Sequence, residues 1–134
     1  MILYRKGKYL KGLVILIILI SNYPLLASGQ EIEDARRFAT YWVTDSCKDL
    51  NLFSKATDKY LSVLKQDSLN LEANYELAQL YKKMAVNYST NIHKNVNTWS
   101  NERIKQESNK GIEYISKGEP FMERYNRLAT KRKN

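Results

Sequence analysis

The chain is short of the residues that most active-site chemistry needs. It has one cysteine and one histidine in 134 residues. A single cysteine cannot close an intrachain disulfide, and the two together cannot supply the four ligands of a usual zinc site. The five glycines fall in no phosphate-cradling pattern, which excludes a glycine-rich nucleotide loop. His93 sits in an Asn-rich stretch with no carboxylate or second histidine beside it, so it is not placed to act as a base or ligand. No nucleophile, base and orienting group can be assembled, and the sequence is read as non-enzymatic, with no catalytic residues, metal or cofactor. Apolar residues make up 43% of the chain, which places it among globular rather than disordered sequences.

Acidic residues are missing altogether from the first 29 positions. Arg5, Lys6, Lys8 and Lys11 precede the apolar run from Leu13 to Ile20, and Ala27-Ser28-Gly29 has the small-x-small form of a cleavage site. The run is too short for a helix that needs about 20 apolar residues, and Pro24 interrupts any extension. Residues 1–29 are therefore read as a signal peptide cut before Gln30, residues 30–130 as the folded domain and 131–134 as a basic tail. The expected location is the periplasm or cell envelope, or outside the cell, with no membrane span left after cleavage. Cleavage leaves 18 basic residues against 14 acidic, a net charge of +4 rather than the +8 of the whole chain. That balance gives no argument for nucleic acid.

After Gln30 no stretch alternates as a strand does, whereas helical spacing recurs. Ala35, Phe38, Ala39, Trp42 and Val43 form one stripe, behind the acids Glu31, Glu33 and Asp34 that suit a helix start. Ala56, Tyr60, Val63 and Leu64 form a second. Ala73, Leu77, Tyr81, Met84, Ala85 and Tyr88 form a third. Ile104, Gly111, Ile112 and Ile115 form a fourth, and Phe121, Tyr125 and Leu128 a short fifth. Asn70 and Ser100 are placed to cap the third and fourth helices. The polar stretch from Asn87 to Ser100 should contain a loop, and Gly118 with Pro120 reads as a stop and restart.

Sliding the chain by 34 residues puts Ala39 on Ala73, Tyr41 on Tyr75, Val43 on Leu77 and Lys48 on Lys82. With this period, Leu77, Ala78 and Tyr81 on one helix and Ala56, Tyr60 and Val63 on another, the chain resembles the tetratricopeptide repeat family. Asp67-Ser68-Leu69-Asn70 matches that family's inter-repeat turn, with Ser68 in place of proline. Thr40 and Cys47 depart from the expected aromatics of the first helix. The overall plan is similar to small exported members of the family from Bacteroidetes. The resemblance implies an all-α fold of antiparallel helical hairpins: about two repeats, the second stretched by a polar insert, and a C-terminal capping helix. It also implies a protein-binding face on the first helix of each pair. Carried over by phase, that face holds Tyr41, Asp45 and Lys48, then Tyr75, Gln79 and Lys82.

The expected partner is a protein or peptide, and the alternative is self-assembly through the open end of the stack. Trp42 and Trp99 read as structural, and Cys47 as a buried thiol or an intermolecular disulfide. Arg124, Arg127, Lys131, Arg132 and Lys133 read as a solvated terminus, with anionic lipid or an acidic partner as the other reading.

Overall fold

The computed structural model describes residues 28–133. The signal segment expected over 1–29 lies outside these apart from Ser28 and Gly29, which are already helical. Four helices account for the described residues, with no strand among them. Helix α1 spans 28–44, α2 Leu50–Gln66, α3 Leu71–Asn95 and α4 Asn101–Lys131.

Local chemistry sets the helix ends. Two consecutive residues, Ser46 and Cys47, take positive φ of 55° and 59° after α1. The Cys47 amide donates to the Trp42 carbonyl and the Ser46 amide to the Val43 carbonyl, so the last carbonyls of α1 are satisfied by a six-to-one and a five-to-two bond. Ser46 occupies the left-handed position that glycine usually fills in this motif. Ser46→Gly is therefore expected to raise stability by about 1 kcal/mol, read as a higher urea midpoint. The Asp49 carboxylate caps α2 through the amides of Asn51 and Leu52. The Asn70 side chain accepts from Ala73 N at 2.9 Å, and Ser100 Oγ from Arg103 N at 3.2 Å.

Side-chain contacts give the topology. Trp42 meets Phe53 at 5.1 Å between ring centres, while Glu31, a few turns earlier, accepts from Ser62 and Gln66. Hence α1 and α2 are antiparallel. Tyr60 bonds Glu76, and Phe53 meets Tyr81, so α2 and α3 are antiparallel as well. Arg36 reaches Glu72 and Glu76, and the Cys47 carbonyl accepts from Asn87, so α1 and α3 run parallel, side by side. Arg124 bonds Asn74 and Tyr88 stacks on Tyr114, which makes α4 antiparallel to α3.

The core lies between α1, α2 and α3. Ile32, Ala35, Trp42, Phe53, Ala56, Tyr60, Val63, Leu64, Ala73, Leu77, Leu80 and Met84 are buried there. The fully buried Asn74 holds the start of α3: its Nδ2 donates to the carbonyls of Ser68 and Asn70, and its Oδ1 accepts from Arg124.

Helix α4 is attached differently. Its fully buried positions are Gly111 and Gly118, seven residues apart. They sit against Ala85 with Tyr88 and against Ala78 with Tyr81, also seven apart on α3. Around this close approach run the rings of Tyr88, Tyr114, Tyr81 and Phe121, stacked with centres about 6 Å apart. Phe53 of α2 meets Tyr114 edge-on, tying α4 to the core.

Several expectations change. The polar stretch from Asn87 holds a turn only at 96–99, because α3 continues to Asn95. Gly118 and Pro120 do not break α4, so the expected fifth, capping helix is the end of α4. Gly118 is small because α3 lies against it. Pro120 is exposed, and so is Ser116, whose carbonyl loses its amide donor to the ring but stays open to water. Val43, Ile112 and Ile115, read as core, are 40%, 60% and 50% exposed. On α4 the buried stripe is made of glycines and rings, and the two isoleucines lie off it.

Candidate functional site

Between the parallel α1 and α3 runs a groove of about 320 Å³. Ala39, Thr40, Val43 and Thr44 form the α1 wall. Tyr75, Glu76, Gln79, Leu80 and Lys83 form the α3 wall, and Tyr60 of α2 reaches in from below. The spacing of each set, four and three residues, puts it on one side of its helix. The walls are mixed: Ala39, Val43, Leu80 and the Tyr75 ring are apolar, while Thr40, Gln79 and Lys83 carry hydrogen-bonding groups.

One end of the groove is locked. Arg36 Nε lies 3.0 Å from both oxygens of Glu76, and its Nη2 2.6 Å from one of them. Arg36 also pairs with Glu33 and Glu72. The Tyr60 hydroxyl donates to Glu76 Oε2 at 2.7 Å. These bonds fix α1 against α3 and use the acceptors of Glu76. The carboxylates, Glu76 foremost, hold the Arg36 guanidinium in its charged form. Burial, reinforced by the bond to Glu76, pushes the Tyr60 phenol well above its ordinary range. Burial also raises Tyr81 and Tyr88, and the Cys47 thiol, which half-burial against the core desolvates.

The tyrosine shifts give a pH dependence. A phenol with a raised folded pKa stabilises the fold fully below the unfolded value, near 10, and loses that contribution as pH climbs towards the folded value. Stability should therefore fall above pH ~10, by up to about 1.4 kcal/mol per pH unit for each such tyrosine. Tyr60→Phe should flatten this alkaline limb while Glu76 keeps its bonds to Arg36. Urea midpoints measured across the alkaline range check it.

Of the six residues expected on the binding face, Tyr75 and Gln79 line the groove. Tyr41 is exposed on another side of α1. Asp45 and Lys48 follow the end of α1 and are not on a helix face at all. Lys82 is exposed beside Lys83, the lysine that does line the groove. The 34-residue offset selects equivalent sides of α1 and α3. Two parallel neighbours meet through non-equivalent sides, so the α1 wall is Ala39, Thr40, Val43 and Thr44 instead. No feature of the sequence marks Ala39, Thr40, Val43 and Thr44 as a wall, because Val43 reads there as core.

Among the described residues no three His, Cys, Asp or Glu side chains gather as a metal site would require. None of their helices is long and apolar enough to cross a membrane. No family model, curated protein or solved structure matches the chain.

Proposed function

We propose that the protein is an exported, non-enzymatic scaffold of tetratricopeptide type that holds a protein or peptide partner in the periplasm or cell envelope. The groove between α1 and α3 carries this reading. It is open, and its walls are fixed by the Arg36–Glu76–Tyr60 contacts before any partner arrives. Such a surface binds without first having to order itself. The apolar strip of Val43, Leu80 and Tyr75 would cover a partner's side chains, and Thr40, Gln79 and Lys83 would bond its backbone or acidic groups. The helix order supports the family assignment: two helical hairpins with their first helices parallel and adjacent. A photo-crosslinking residue at Gln79 should capture a discrete partner in native envelopes, whereas one at Tyr41, off the groove, should not. Identical products at both positions, or none at Gln79, would reject the groove.

A second reading, a self-assembling subunit, rests on a different surface. Val86 of α3 and Ile112 and Ile115 of α4 are about half exposed and lie on the side of that hairpin away from α2. Light scattering separates the readings, since a strict monomer at high concentration removes the second.

A further inference from the structure

One end of the bundle gathers features that the sequence scatters. Helix α1 begins there, since Glu31 bonds Ser62 and Gln66 at the finish of α2. The α2–α3 turn, 67–70, lies at this end, with Leu69 exposed at 57%. Helix α4 also finishes there. Arg124 bonds Asn74 and Tyr125 meets Tyr75, so α4 has already drawn level with the first turn of α3. Its last residues, to Lys131, then overhang α3 by about one turn, ~6 Å.

The overhang is cationic. From Arg124 to Lys133 the sequence carries Arg124, Arg127, Lys131, Arg132 and Lys133 and no acid. Arg124, Arg127 and Lys131 follow each other at helical spacing along one side. The acids at this end are mostly engaged. Glu33 and Glu72 pair with Arg36 and Asp34 with Arg37, while Glu31 and Asp67 accept from neutral donors and keep their charge. Glu33, Asp67 and Glu123 are exposed acids at this end, but none falls within the run from Arg124 to Lys133.

The chain enters this same end covalently. Residue 28 opens the described part of α1, and the sequence before it carries the apolar run Leu13 to Ile20 behind Arg5, Lys6, Lys8 and Lys11. A segment of that kind is directed to a membrane. The fold thus sets the cationic tail, about 100 residues on in the sequence, at the same end of the bundle as the start of α1, with α3 between them.

We infer that this end docks on an anionic lipid surface, with the α4 tail contacting phosphate headgroups and Leu69 entering the interface. Each basic side chain near an anionic surface adds about 1 kcal/mol, so five clustered charges give a reversible, salt-sensitive attachment. After removal of residues 1–29 the tail would still hold the domain near the surface, and salt would release it. The α1–α3 groove opens along the side of the bundle, so attachment leaves it accessible.

The test uses the full chain on phosphatidylglycerol and phosphatidylcholine vesicles. The readout is the ratio of the two affinities, which cancels apolar insertion, and the charge of Arg5, Lys6, Lys8 and Lys11 is the same in every variant compared. Arg127→Gln, Lys131→Gln, Arg132→Gln and Lys133→Gln together should lower that ratio by up to roughly a thousandfold. Circular dichroism should not change, because these side chains lie beyond the core. Lys131→Arg with Lys133→Arg should keep the ratio, since only charge is required. An unchanged ratio in the glutamine variant, or its loss in the arginine variant, overturns the inference. So does a tail that binds duplex RNA while showing no preference for phosphatidylglycerol.

Discussion

Gly118→Leu is expected to lower the urea midpoint by the equivalent of about 3 kcal/mol and to free α4 from α3. A Cβ at this position would stand 3.1 Å from Tyr81 Cβ, 3.4 Å from the Ala78 carbonyl oxygen and 3.9 Å from Ala78 Cα. The first is already tighter than ordinary contact, and two of the three neighbours are backbone that cannot rotate aside. The further atoms of leucine have nowhere to go except between the helices. Separating them would also unstack Tyr81 from Phe121 and Tyr114. The gain in helix propensity over glycine, about 1 kcal/mol, is too small to compensate. Gly111 provides the control. A Cβ there meets Tyr88 Cβ at 3.5 Å and the Ala85 carbonyl at 3.7 Å, both ordinary distances. Gly111→Ala should therefore keep the propensity gain and stabilise by up to about 1 kcal/mol. Opposite signs at two glycines one heptad apart would identify close approach at Gly118 as the determinant of α4 packing. A stable Gly118→Leu protein would refute it.

Trp42→Ala is expected to cost about 4 kcal/mol. Trp42 is fully buried, and its ring packs on Phe53 at the point where α1 crosses α2. The aromatic chain continues from Phe53 to Tyr81 and Tyr114, so a cavity here loosens the junction of all four helices. For a domain of this size the melting temperature should fall by roughly 15 °C or more, measured by circular dichroism. Trp42 also buries its indole N–H without a partner. An unpaired buried donor costs about 1–3 kcal/mol. Trp42→Phe removes that donor and keeps a ring, so it should cost less than half as much as alanine. Equal losses for the two variants would refute this, since a phenyl ring would then recover none of the packing that the indole supplies.

The first three stripes, Val43 apart, were legible because their apolar residues recur at helical spacing on the faces that the fold buries. Ala35, Trp42, Ala56, Tyr60, Val63, Leu77 and Met84 are all buried on the spacing that the sequence shows. The caps at Asn70 and Ser100 were legible for a similar reason: each depends on an amide three residues away. The α4 stripe was misread because large apolar residues are a poor guide where two backbones nearly touch. Gly111 and Gly118 are buried, and Ile112 and Ile115, more hydrophobic, face outward. Pro120 misled for a related reason. Proline breaks a helix when the lost bond is buried, and here it faces solvent.

The groove divides the same way. Tyr75 and Gln79, which the family resemblance places on the first-helix face, do line the groove. Thr40, Val43 and Lys83 were not placed there, because the repeat says which positions are equivalent but not which sides of α1 and α3 meet.

By itself the sequence determined the helical class, the phases of α1 to α3 and the caps that start α3 and α4, because each rests on interactions within a few residues. Only the tertiary structure decided the rest: that α1 and α3 lie parallel with a groove between them, that α4 is one helix seated on α3 through glycines, and that its cationic end lies at the same end of the bundle as the start of α1. These depend on pairs such as Arg36 with Glu76, Tyr81 with Gly118 and Asn74 with Arg124, which are 37 to 50 residues apart. At that separation local periodicity carries no information, and close packing alone selects the partner.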